Sequence, residues 1–406
     1  MGVTVKWIAK LLRGLLAWRR PQLTGKNALF SRDTFNFAAF MGTFNFLFRG
    51  GLCAQRRILM EDNQLAPFLS GGFAALSLLW LPPDDRVPIA VYLFVRAIRV
   101  VVEAFVKHNG DQIPKPVREF QHYDTGLFCL TACQILYAYI FEPKSLPDSY
   151  MAFLIRAGGK DQTVLSALKA VGTGVSMNRQ QVAAYCAKQG IDPQRVLELP
   201  FTPGGSNARQ LDHMCCLMHP GQSCGEHYIR FTAKHVLSVG IPLYIPVSII
   251  SQLIWRRKKM FDEPVKTMER IIKSSIRSAL FLALYCGNAW GVQCLLRRFN
   301  LLSHWSPWLI VGPMAGLPIL LEEKSRRLEL AIYCASPALQ SFYTCGIMYG
   351  MLPRVPNTRY WRAATQYHVM AMFIFSMGVI MSAHQKDKGH LQPTFSQILK
   401  NLMGIS

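Results

Sequence analysis

Apolar stretches long enough to cross a bilayer constrain this chain more than any other feature, because lipid offers the backbone no hydrogen-bond partner and only self-satisfied structure survives there. About 20 helical residues cover a hydrocarbon core of about 30 Å. Runs of that order occupy residues 35–54, 65–81, 87–106, 125–141, 278–296, 306–321, 328–352 and 367–383, with a ninth candidate at 236–255 that contains Gly240, Pro242 and Pro246. Short basic clusters separate them. Of 406 residues 51% are hydrophobic and 17% charged, and 45 Lys+Arg against 23 Asp+Glu leave a net charge of +22. That profile excludes a disordered or collagen-like chain, and the segregation of charge from oil is the pattern of a polytopic membrane protein. The expected fold class is all-α, a polytopic membrane helix bundle.

An internal repeat organises the runs. Shifting the chain by 241 positions without a gap superposes Phe40 on Phe281, Gly50 on Gly291, Cys53 on Cys294 and Arg56-Arg57 on Arg297-Arg298. The register continues with Gly71 on Gly312, Arg86 on Arg327, Ala90 on Ala331, Tyr92 on Tyr333 and Ala97 on Ala338. Apolar agreement can come from composition, whereas glycine and arginine positions held in one register argue for duplication. The sequence therefore divides into a basic amphipathic N-terminal segment (1–34), a first four-helix membrane module (35–155), a basic middle region (156–277) and a second four-helix module (278–406).

Two features bear on topology. Near the N-terminus Trp7, Ile8, Leu11, Leu12 and Leu15 share a helical face opposite Lys6, Lys10 and Arg13, which suits an interfacial helix on anionic lipid; an ordinary packed helix and a cleavable mitochondrial presequence are the alternatives. If residues 236–255 cross, the basic N-terminus and the Arg256, Arg257, Lys258, Lys259 cluster fall on opposite sides, against the positive-inside bias. That bias favours eight spans, parallel halves and an interfacial or re-entrant ninth segment, with the basic cluster on lipid headgroups.

Several residues invite specific roles. Gly71 and Ala75, and their counterparts Gly312 and Gly316, have the spacing that lets helix backbones approach closely in lipid; the two modules are expected to pack through these helices. Arg96, Arg99 and Glu103 lie inside an apolar run, where charge is either paired structurally or part of a polar translocation path. Arg99 and Glu103, four apart, can neutralise one another. The stretch His213 to Pro220, with Cys215, Cys216 and His219, followed by Cys224 and His227, holds ligand types that zinc takes. Its spacing fits no paired Cys-x-x-Cys site, so a packed turn is the expectation and no metal or other cofactor is assigned. Gly158-Gly159-Lys160-Asp161 is not a phosphate loop, because Asp161 stands where that motif needs Ser or Thr. The eleven cysteines, odd in number and mostly in apolar runs, do not suggest a disulfide framework.

These residues resemble the transmembrane protein 135 family, related to peroxisomal membrane proteins and to inner-membrane translocase subunits of the Tim type. The most specific match runs from Trp305-Ser306-Pro307 through Glu322-Glu323-Lys324-Ser325-Arg326-Arg327 to Ile332-Tyr333. His219-Pro220 with Ser223-Cys224 is similar to the family's cysteine-containing motif. Gly50, Cys53, Arg56, Asp62 and Gly71, and the closing Ser149-Tyr150, Phe153-Leu154 and Arg156, resemble the other family half. One departure stands out: the His-Pro, Ser-Cys half comes second here and first in vertebrate members.

The resemblance implies a non-enzymatic multi-pass protein of mitochondrial or peroxisomal membranes, a regulator of the fusion-fission balance and of peroxisomal and lipid metabolism. Its alternative is a translocase-like pore or a lipid or cholesterol carrier. Expected partners are membrane lipids, chiefly anionic, with membrane proteins or a second copy in addition and no nucleic acid.

Overall fold

The computed structural model describes residues 32–59, 65–109, 112, 114–115, 122–173, 178–192, 215, 217–255, 262–299, 305–352, 359–386, 391, 395–396 and 399–400. The amphipathic N-terminal helix and the Arg256 to Lys259 cluster lie outside them. Among the described residues all regular structure is helical. The first group is α1 (Arg32–Leu59), α2 (Leu65–Ala74) with a 3-10 turn Ala75–Trp80, α3 (Pro83–His108) and α4 (Tyr123–Phe141). Three shorter helices follow, α5 (Asp148–Gly158), α6 (Gln162–Thr173) and α7 (Arg179–Gln189). Next come α8 (Cys224–His235), a π-turn Val236–Gly240 and α9 (Ile241–Trp255), then α10 (Pro264–Arg298). The chain continues through a π-turn Pro307–Val311, α11 (Gly312–Gly316) and a 3-10 turn Leu317–Leu321 into α12 (Lys324–Met348) and α13 (Arg359–Lys386).

Packing groups these helices differently from the sequence segments 35–155 and 278–406. One unit joins α1, α2 and α3 to α13; the other spans α4 to α12. The fourth helix of each half is exchanged: α13 lies on α2 and α3, and α4 lies on α11 and α12. The pattern is written in the side chains. Phe40, Phe44, Phe48 and Leu52 recur every four residues on α1 and Phe373, Met377 and Met381 every four on α13, so each helix buries one stripe. In the second unit Phe128 of α4 meets Phe281 of α10 edge to face at 5.6 Å, in a cluster with Ile319 and Ala331.

The small residues act inside each unit. A Cβ on Gly71 would sit 2.7 Å from the Met377 carbonyl oxygen, one on Gly312 2.4 Å from Cys133 Cα, and one on Gly316 2.7 Å from Cys129 Sγ. Ala75 is fully buried in the first unit. Each of these contacts joins residues of the two sequence modules: Gly71 of 35–155 lies against Met377 of 278–406, and Gly312 of 278–406 against Cys133 of 35–155, so each glycine seats the exchanged helix of the other module.

Positions 241 apart also share local geometry. Arg86 donates to the carbonyls of Leu81 (2.8 Å) and Leu79 (3.0 Å). Arg327 donates to those of Glu322 (2.8 Å) and Leu320 (2.6 Å). Each guanidinium satisfies the carbonyls that a 3-10 turn leaves open at its end. Leu78 and Ile319, like Ala74 and Ala315, are fully buried at matching places.

The ninth segment, expected as an interfacial or re-entrant piece, is helical throughout. Residues Cys224–Leu253 form a continuous run of 30 helical residues that contains an 18-residue stretch of mean hydropathy 1.7, long and apolar enough to cross a membrane. Neither Pro242 nor Pro246 breaks it: the π-turn at Val236–Gly240 rearranges the hydrogen bonds just before Pro242, and the α-helix continues through Pro246. Gly240 lets this helix touch α10, where a Cβ would fall 2.6 Å from the Ala279 Cβ. Tyr123–Phe141, Pro264–Leu296 and Tyr367–Gln385 meet the same criterion of length and composition. Large apolar side chains face outward on these and neighbouring helices, among them Phe73, Leu79, Leu309 and Phe342. The chain is a membrane protein, all-helical among the described residues.

Candidate functional site

Residues 215 to 227 build a compact turn from four local signals. Cys215 and His219 are one helical turn apart, with the His219 amide donating to the Cys215 carbonyl at 2.8 Å, so both side chains leave one face. Pro220-Gly221 then reverses the chain: the Gln222 amide returns to the His219 carbonyl at 3.2 Å, and Gly221 takes φ +69°, which the third position of a type II turn requires. Ser223 starts α8 as its N-cap, accepting from the Glu226 amide at 3.2 Å, which puts Cys224 at the first helical position. Finally, His219 Nδ1–H donates to the Gln222 carbonyl at 2.9 Å, locking the ring and aiming Nε2 inward.

Cys294 of α10 completes the group. Cys215, His219, Cys224 and Cys294 bring one ligand atom each to within 4.8 Å of all the others. The Cys215 and Cys224 sulfurs are 3.4 Å apart, and Cys294 Sγ is 3.8 Å from His219 Nε2. His219 and Cys294 are buried, while Cys224 reaches the surface.

Lys160 stands beside this cluster. The Gly158-Gly159-Lys160-Asp161 stretch is a helix–helix corner: Gly159 (φ +60°) ends α5, and the Asp161 carboxylate accepts from the Thr163 amide at 2.8 Å to start α6. Between them Lys160 turns inward and donates to the Met218 carbonyl and, at 3.1 Å, to His227 Nε2. Burial pushes its ammonium down to about 8, opposed by the thiols of Cys294 and Cys215. Trp290 donates to the Gly158 carbonyl at 2.9 Å and fixes α10 to the same corner.

The other residues singled out in the sequence lie elsewhere. Arg96 is buried under the Phe395 ring, its guanidinium carbon 4.1 Å from the ring centroid, and donates to the Tyr92 hydroxyl at 2.6 Å. Arg99 pairs with Glu103 at 2.6 Å, one turn along α3. In the Lys-Ser-Arg-Arg stretch Lys324 and Ser325 are exposed, Arg326 donates to Ser274 (2.8 Å) and Ser278 (3.0 Å) of α10, and Arg327 caps the 3-10 turn. Beside it Glu322 is fully buried, 3.8 Å from Arg326. His219, Pro220 and Cys224 come together in the turn described above. Spacing alone did not show that Cys294 and Lys160 join them, since they lie 75 and 59 positions from His219.

Residues 218–347 match the family model described as the N-terminal cysteine-rich region of Transmembrane protein 135. The match begins at Met218, inside the turn, and takes in α8 to α12 almost entirely. No solved structure matches the chain.

Proposed function

We propose, from the transmembrane protein 135 family assignment that this match supports, a non-enzymatic multi-pass scaffold of mitochondrial or peroxisomal membranes that regulates fusion-fission balance and lipid metabolism. The observation that favours a scaffold over a pore is the fate of the charges in α3. Arg96 is spent on Tyr92 and Phe395 and Arg99 on Glu103, which is structural pairing and leaves no row of charges to line a path. Anionic lipid headgroups are the partners proposed for the basic segments, including Arg256, Arg257, Lys258 and Lys259. The two halves are read as copies of one four-helix ancestor, supported by the matching arginine bonds at positions 86 and 327.

The run Cys224–Leu253 favours a second reading. If it crosses, the halves are inverted, and inverted halves are the architecture of alternating-access carriers. One preparation tests both. The purified full chain is reconstituted into liposomes, and ion flux, sterol transfer and phospholipid transfer are followed for the parent and for Glu103→Gln. A scaffold gives the flux and transfer of empty liposomes in both. Transfer above that background, abolished in Glu103→Gln, refutes the scaffold and establishes the carrier. A tagged chain found outside mitochondria and peroxisomes refutes the organelle assignment.

A further inference from the structure

We propose that Cys215, His219, Cys224 and Cys294 bind one zinc ion that pins the 215–224 turn to α10. Zinc takes three thiolates and one imidazole in closed tetrahedral sites, with Zn–S about 2.3 Å and Zn–N about 2.0–2.1 Å. A tetrahedron of those arms has S–S edges of about 3.8 Å and S–N edges of about 3.5 Å. The cluster offers 3.4 Å between Cys215 and Cys224 and 3.8 Å between Cys294 and His219. The ligand atoms are thus placed around a point that an ion of this size fills.

The surroundings carry the features of a built site. Zinc-ligating histidines usually donate their other ring N–H to a carbonyl or carboxylate, and His219 does so to Gln222. Three thiolates with one divalent ion leave a net charge of −1, and the Lys160 ammonium beside Cys215 and Cys294 balances it. His227 stacks on His219 at 5.0 Å between ring centroids and is itself engaged by Lys160 and Gln222, so it supports the ligand ring from outside the ligand set. The ligands come from two places far apart in the chain, with Cys294 on α10 and the rest in the turn. Loss of the metal would release the turn from α10, which makes the role structural, and the proposal stands independently of the scaffold reading.

The competing state of this cluster is a Cys215–Cys224 disulfide, and the experiment separates the two. The full-length protein is purified in detergent without chelator, its zinc is measured by mass spectrometry, and its cysteines are alkylated before and after adding a zinc chelator or a reductant. Zinc at about one equivalent, with Cys215, Cys224 and Cys294 protected until the chelator is added, is the expected result. Near-zero zinc, with Cys215 and Cys224 released only by the reductant, overturns the proposal, as does free alkylation of all three from the start. Cys224→Ser should lose most of the zinc, Cys224→His should keep it, and Cys53→Ser in the other unit should leave it unchanged. Replacing zinc by Co²⁺ should give the visible bands of a tetrahedral thiolate site. Because the alkylation pattern is read on the parent protein, a poorly folding variant does not blunt the test.

Discussion

Gly312→Ala turns helix packing in the second unit into a measurable energy. The added carbon would lie 2.4 Å from Cys133 Cα, 2.7 Å from its amide nitrogen and 2.8 Å from its sulfur. Carbon contacts are comfortable at about 3.5–4.0 Å, so α11 and α4 must separate by roughly 1 Å, and backbone atoms cannot rotate out of the way. Overpacking of this kind costs about 1–3 kcal/mol, and the helix propensity gained in replacing glycine by alanine returns about 1 kcal/mol at most. Taking the upper end, a net loss of about 2 kcal/mol lowers the melting midpoint by about 4–8 °C for a unit of this size. Gly126→Ala, on exposed α4 surface with nothing within 4 Å of its new carbon, should move the midpoint slightly upward. A thiol-reactive fluorophore in detergent reads both, since Cys286 is buried in the same unit and reacts as it opens. A Gly312→Ala midpoint at or above the parent's would refute the close α4–α11 contact.

Arg86→Ala and Arg327→Ala should destabilise by similar amounts, about 1.5–3 kcal/mol each for lost charge-assisted bonds, and lysine should restore only part because it lacks the fork; equal, unchanged melting of both variants would dismiss the caps. Asp161 supplies a pH signature. The Thr163 amide holds its carboxyl below the usual value of 3.8, so its stabilising effect is present above that pH and is lost as pH falls through the folded-state value. The difference in melting midpoint between the parent and Asp161→Asn should therefore shrink on acidification, and a difference that grows would contradict the cap.

Much of the architecture was legible because it rests on local pattern. Helix lengths follow from apolar runs, and the register that aligned Arg86 with Arg327 also aligned the two 3-10 turns they cap. Gly71 and Gly312 could be recognised from spacing as positions where two modules approach, but which helix each one receives could not: an apolar helix such as α13 satisfies either half's stripe by composition, and which one it chooses is settled by three-dimensional fit. The continuity of the ninth segment was hidden by local signals. Gly240, Pro242 and Pro246 signal a break, whereas a π-turn takes in Gly240 just ahead of Pro242 and the helix continues through Pro246. The cysteine cluster was half visible. Cys215, His219 and Cys224 could be seen in sequence, while Cys294 lay in an apolar run, where a thiol reads as a small hydrophobe.

The exchange of fourth helices has a consequence for how the chain is made. Helices α1 to α3 leave the ribosome with the face that receives Phe373, Met377 and Met381 still open, and α13 begins only at Arg359. With about 250 residues to go at roughly 5–20 residues per second, that face waits about 10–50 s for its partner. Helix α4 waits in the same way for α10 to α12. Neither half holds its full set of packing helices as it is made, so each unfinished bundle keeps an open apolar face, and a stop codon anywhere before α13 leaves the first unit without its fourth helix. Conversely, two fragments divided between α9 and α10 and produced together each carry what the other lacks, which gives them a physical reason to find one another.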